Sequence, residues 1–413
     1  MLGREIRSFL QWGLAILIAM SIFAPICSAD PAVEPRPSTD TDPPPTDEPE
    51  QPSPNDRVAL TRTAVPAVTS LARYRRSRFR LASVPNMYGD TLPPGGQLAI
   101  TKGLGIALTD LPLAGGARRI KVSENNKALP MDRLILNYNH FHNARGFFYD
   151  FLGPPIEADF NDSIDRFTIG FEKTFFNEQW SLDLRLPLVS RYSVTIPRPV
   201  PAYSIAGEEI GNLHATVKGL LYADEQLALS AGLGIDLPTG GDVSGTMGGI
   251  YTFGVSNDAV HLAPFIGFVH HPDDIWFTHG FLEVDLPLGG NRVSVDAATG
   301  KLNEQSVLNV DLAGGCWLYR NLNAPVVTGV ASIVELHYTT TLNDADLVTF
   351  TPIAFDFNFS NFANQMDVVN ATIGLHVELA RNTTLRLGGV LPLTDGDNRF
   401  FDAEVMAQVN RYF

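Results

Sequence analysis

The chain has 413 residues, 45% hydrophobic and only 18% charged, with 35 Gly, 29 Pro and 2 Cys. That make-up excludes a chain disordered throughout, and it lacks the charged, Ala-rich composition of a helix bundle. A formal charge of −15 argues against nucleic-acid binding, which needs a basic face to neutralise phosphates and displace counterions.

Residues 1–29 set Arg4 and Arg7 ahead of an apolar run from Gly13 to Phe23, with the small residues Ser28 and Ala29 after it. This order predicts a secretory signal peptide cleaved after Ala29, since the apolar run is short for a transmembrane helix. Its removal leaves Cys316 as the single cysteine, so the exported chain has to be stabilised without an internal disulfide.

Residues 30–56 read DPAVEPRPSTDTDPPPTDEPEQPSPND, with nine prolines and no aromatic residue. Such a segment has no apolar area to bury against its chain entropy, and is expected to be an extended, acidic, disordered arm. Residues 57–96 form a basic transitional segment that includes Arg73, Arg75, Arg76, Arg78 and Arg80. A solvated run is the plain reading of that cluster, and contact with anionic lipid headgroups the functional one.

From Gln97 to Phe413 the dominant signal is period two, as in Trp180 to Leu188, where the even positions are apolar and Ser181, Asp183 and Arg185 face the other way. The same alternation runs through Leu227 to Leu237, Val369 to Leu379, Leu385 to Leu393 and Phe401 to Phe413. Several runs hold their phase longer than ordinary strands of about 5 or 6 residues, and match the roughly 9–11 that a tilted membrane-spanning strand requires. Connections alternate between short turns, such as Asp224 to Gln226, and long polar stretches near 190–208, 239–258, 289–304 and 342–364. These features predict an all-β fold, a transmembrane antiparallel up-and-down β-barrel with tight periplasmic turns and longer outer loops. Twelve strands can be counted between Asp132 and Phe413. A further opening hairpin, Gln97 to Leu108 with Arg118 to Ser123, makes fourteen, the preferred total, with twelve as the alternative; both are even, as bacterial single-chain barrels require.

No phosphate loop, nucleophile elbow, His-Glu-x-x-His or paired cysteines are present, so no cofactor, no metal and no enzymatic activity are expected. The run Thr239 to Gly249 reads as a flexible outer loop. His140 and His142 share one side of a strand but have no third ligand placed by the sequence. The informative feature is charge on the polar faces. Glu172, Asp183, Asp236, Glu283, Asp285, Asp311, Glu335, Glu378, Asp402 and Glu404 are assigned inward, with Arg133, Arg185, Lys218 and Arg386 as basic counterparts. These groups either pair into a network that fills a closed barrel or line a water-filled path.

The last residues, Phe401-Asp-Ala-Glu-Val-Met-Ala-Gln-Val-Asn-Arg-Tyr-Phe413, resemble the terminal strand of outer-membrane β-barrel proteins. Phe401, Ala403, Val405, Ala407, Val409 and Phe413 match that pattern and Arg411 departs from it. The resemblance implies recognition by the barrel-assembly machinery and an outer-membrane lipid environment. The segments Met131 to Asn139, Arg166 to Phe175 and Asn398 to Asp402 also resemble a family of exported barrel-like proteins, over about residues 85–413. Its looser relatives are fourteen-stranded transporters of hydrophobic and aromatic compounds. The expected function is passive passage of small solutes, cation- or neutral-preferring because acid outnumbers base inside. The alternatives are a structural barrel tethering the envelope through its arm, or an outer-membrane hydrolase. Oligomeric state is left open.

Overall fold

The computed structural model describes residues 81–90, 96–110, 120–150 and 162–413, apart from positions 104, 146, 191, 197–202, 208–209, 362–364 and 381. The expected signal peptide, proline-rich arm and arginine cluster lie outside the described residues.

Alternating side chains force one face of each long strand to be apolar, and the chain satisfies all of them by closing a single antiparallel barrel. Its strands are β3 (Arg133–Arg145), β5 (Asp162–Phe175), β6 (Trp180–Val189), β9 (Leu213–Ala223), β10 (Leu227–Leu237) and β13 (Val260–His270). They continue as β14 (Trp276–Leu288), β17 (Val307–Arg320), β18 (Val327–Thr341), β21 (Asp367–Leu379), β22 (Thr383–Pro392) and β23 (Ala403–Tyr412). The seam is β23 against β3, in register from Ala403 opposite His142 to Tyr412 opposite Arg133.

That seam corrects the strand number from fourteen to twelve. β1 (Gln97–Lys102) and β2 (Gly105–Asp110) are each only six residues long, too short to cross a bilayer. With the wall already closed, they pair with each other and build a sheet outside the barrel from β4 (Phe147–Asp150), β19 (Val348–Phe350) and β20 (Asp356–Ser360). A second outer sheet contains β7 (Tyr192–Ile196), β8 (Tyr203–Gly207), β11 (Val243–Met247), β12 (Tyr251–Val255), β15 (Asn291–Val295) and β16 (Ala298–Leu302). The two sheets share one apolar core around Leu98, Ile100, Phe253, Val293, Phe357 and Phe359. The long connections are therefore a folded cap rather than free loops. The glycine run expected to be flexible carries β11 and turns tightly at Gly248 and Gly249, both with positive φ.

At the opposite end the connections are tight. Asp224 accepts the N–H groups of Gln226 and Leu227 at 2.8 Å each, the local bond that makes Asp a turn former. Asp132 joins the start of β3 to the end of β5 by accepting from Thr174 N at 2.5 Å and Lys173 Nζ at 2.8 Å. Partial burial opposes ionisation of Asp132, but the bonds from Lys173 and Thr174 outweigh it and hold the carboxyl below its ordinary value. That contribution to stability is present above the unfolded aspartate value of about 3.9 and is lost as pH falls through the lower folded value.

The wall is inverted relative to a soluble protein. Leu387 is 66% exposed, whereas its neighbour Arg386 is 1% exposed. Leu134, Leu136, Ile169, Leu184, Ile266, Ile373 and Val405 extend the apolar belt around the outside, while Arg133, Asn137 and Arg166 are fully buried within. A closed barrel with a lipid-facing belt and a polar interior is a membrane-spanning barrel of the outer-membrane kind.

Candidate functional site, the filled lumen

The interior is occupied by the chain's own residues 81–90 and 120–131. The first pass begins at the short-turn end, where Leu81 and Val84 pack among Ala228, Val269, Phe277 and Trp317. It reaches the middle of the wall at Tyr88, whose N–H donates to Glu335 Oε1 at 2.6 Å, and Gly89 N–H donates to Glu335 Oε2 at 2.9 Å. Asp90 then meets Lys121 at 2.5 Å and accepts from Asn370 Nδ2 at 2.7 Å. Beyond it β1 and β2 lie in the outer cap, and residues 120–131 return through the lumen to β3. The two passes touch through Met87 N to Asn126 O at 2.7 Å and Asn125 N to Tyr88 O at 3.1 Å. Gly89 has φ +75°, and a Cβ there would lie 2.6 Å from Glu124 Cα, so only glycine allows this approach.

An irregular backbone in a low-dielectric interior needs partners for its carbonyls, and the basic wall residues supply them. Arg133 donates to Asn125 O at 2.6 Å, Arg185 to Glu124 O at 2.5 Å and Lys218 to Lys127 O at 2.9 Å. Arg166 donates to Glu124 Oε2 at 2.7 Å. These cations are themselves balanced. Glu172 accepts from Arg133 Nε at 2.7 Å and lies 3.1 Å from Lys218 Nζ, and Asp183 accepts from Arg185 at 2.7 Å. From β9 round to β18 carboxylates pair with imidazoles: Asp236 with His214 at 2.8 Å, Asp285 with His261 at 2.8 Å and Asp311 with His337 at 2.7 Å. Glu283 accepts from Val122 N at 2.8 Å and Asn309 at 2.9 Å, and Glu404 from Asn139 at 2.6 Å. His214 and His337 also reach Thr216 and Thr372 at 2.7 and 3.0 Å, so both ring nitrogens of each histidine are occupied in wall bracing.

Of the residues assigned inward, all but two are buried in the lumen wall; Glu378 is half-buried near the short-turn end and Asp402 is exposed. Asp402 is a correction. It precedes β23, follows a short 3-10 turn at Gly396–Asn398, and bonds Arg399 and Asn143 at 2.6 Å each. The broken phase also turns Phe401 inward, buried against Phe141 at 5.5 Å, rather than outward with the terminal strand pattern. Val405 and Phe413 do face outward, Phe413 stacked on Phe171 at 5.9 Å, and Val409 shares their side half-buried. Arg166 was missed although it has the same parity as Glu172. Asp90, Glu124, Lys121 and Lys127 had no wall phase to reveal them. Counting them, the described interior holds ten buried carboxylates and seven buried cationic side chains.

His140 gains Asp165 as a partner at 2.8 Å on the outer surface. Asp90, Asp311 and His337 are close enough to surround a cation, but Lys121 Nζ stands 2.5 Å from Asp90 and 3.9 Å from Asp311, placing an ammonium there.

No protein-family model matches the chain, and no curated protein matches it in sequence. Among solved structures it is similar to an outer membrane channel from Pseudomonas putida F1, at 11% identity and TM-score 0.43, over 70% of this chain and 97% of that one. The transport unit of the autotransporter AIDA-I from Escherichia coli is similar at 7% identity and TM-score 0.42, over 73% and 95%. The toluene transporter TodX of Pseudomonas putida gives 12% identity and TM-score 0.33, over 68% and 87%. Likeness at this level assigns no solute to this chain.

Proposed function

We propose that the protein is a gated outer-membrane channel for small solutes, closed in the state described, and that passage follows release of residues 81–90 from the lumen. The observation that carries this reading is the way the segment is held. Its backbone is gripped by wall side chains: Glu335 takes two N–H groups, Arg386 donates to Asn86 O at 2.5 Å and Met87 O at 3.2 Å, and Gln408 donates to Tyr88 O at 3.1 Å. Water can replace each of these bonds, so the cost of release lies in the apolar contacts of Leu81, Val84, Met87 and Tyr88. The wall left behind is polar and carries more carboxylates than cations, which favours cations and neutral solutes over anions.

A filled lumen also suits a second reading, a barrel with a structural role in the envelope. Planar-bilayer recordings separate the two. The native protein is expected to be mostly closed, and a variant with residues 81–90 replaced by a Gly/Ser segment to conduct steadily with cation-over-anion reversal potentials. A replaced variant that inserts but never conducts overturns the channel and leaves the structural barrel; anion preference overturns the selectivity.

A further inference from the structure

We propose that the slot holding Tyr88 is a binding site for a phenolic solute, which competes with Tyr88 for the barrel wall and thereby favours the open state. The inference deepens the gated-channel reading and rests on it. The slot belongs to the wall. Its floor is the cross-strand pair Gly374 and Gly388 on β21 and β22. A Cβ on Gly374 would lie 2.4 Å from the Tyr88 ring and one on Gly388 3.0 Å from it, so the two glycines leave room for one flat ring and nothing thicker. The Arg386 guanidinium lies over the ring, 4.0 Å from its centroid, a cation–π contact. At the closed end the hydroxyl donates to Leu375 O at 2.6 Å and Leu387 O at 3.1 Å.

Both carbonyls belong to the facing pair Leu375 and Leu387 of the wall itself, so the acceptors at the ring's para position stay in place when Tyr88 leaves. The slot discriminates by hydrogen bonding: a phenol supplies the donor, whereas a hydrocarbon of the same shape leaves both carbonyls facing an apolar edge. Arg386 further selects against cationic aromatics. Tyr88 is a tethered occupant of this site, with an effective concentration on the order of millimolar, so a free phenol displaces it at comparable concentrations or when the segment is already loosened.

The test uses the full chain carrying Tyr88→Ala, with p-cresol as the probe because it reproduces the tyrosine side chain, and toluene as its isostere without the hydroxyl. Saturable p-cresol binding to Tyr88→Ala is expected by calorimetry in detergent, at least tenfold weaker for toluene, and absent when Gly374→Val fills the slot in the same chain. In bilayers Tyr88→Ala is expected to conduct, and p-cresol but not toluene to raise the open probability of the native protein; no rise with p-cresol overturns the competition with Tyr88. If Tyr88→Ala fails to fold, refolding with p-cresol but not toluene is expected to restore the heat-modifiable gel band. Equal binding of p-cresol to the variant with and without Gly374→Val, or no rescue of an unfolded variant, overturns the phenol site. Binding as expected with conductance no higher than in the native protein overturns the gate instead.

Discussion

Glu335→Ala is expected to raise the ratio of open to closed barrels by about a hundredfold. The carboxylate accepts the N–H groups of Tyr88 and Gly89 and is 2% exposed, so its removal strands two buried donors in the closed state alone. Hydrogen bonds to a charged group are worth about 1.5–3 kcal/mol each, and a loss of about 3 kcal/mol corresponds to roughly two decades in the equilibrium. Single-channel open probability reads the effect directly. Glu335→Gln retains one acceptor and is expected to fall between the two. An open probability unchanged in Glu335→Ala would mean that the first pass is not the gate.

The largest loss of stability is expected from Glu172→Ala. Its carboxylate is fully buried against Arg133 and Lys218 and accepts a further bond from Ser181 at 2.8 Å. Removing it takes from Lys218 its carboxylate partner and leaves Arg133 only Asp183, 3.6 Å away, a loss of about 3–5 kcal/mol. Asp402→Asn, at an exposed position with Arg399, is expected to change stability by no more than about 0.5 kcal/mol. The two are compared through the urea midpoint for loss of the folded, heat-modifiable band. Similar midpoints for both variants would contradict the assignment of Glu172 to a sealed interior.

Most of the wall was legible because a barrel writes its geometry into parity. Each residue between Trp180 and Val189 declares its face by position alone, and parity sets the charges at Asp183 and Arg185 inside. Parity fails where strand geometry stops. At Phe401 and Asp402 the chain has left a 3-10 turn and β23 has not begun, and these two side chains swap faces. β1 and β2 fall within the stretch read as one barrel strand from Gln97 to Leu108, but each is too short to span, and nothing local says that β1 pairs with β20 and β2 with β4. The threaded passes were the least legible element. Residues 120–131 are irregular, so nothing periodic marks them. What holds them, cations on β3, β6 and β9 meeting carbonyls and Arg166 on β5 meeting the Glu124 carboxylate, has no local signature in the sequence.

The double passage through the barrel has a topological consequence for biogenesis. Both passes precede β3 in the chain, while the wall is completed only when β23, the twelfth wall strand in chain order, meets β3. The cap hairpin formed by β1 and β2 is joined to both passes and is clasped by β20 on the far side. Feeding it through a completed ring would drag two backbones past a bore lined with unpaired ions. Rolling the sheet around passes already laid across it avoids that barrier, and would make residues 81–90 and 120–131 a mandrel on which the cylinder is formed.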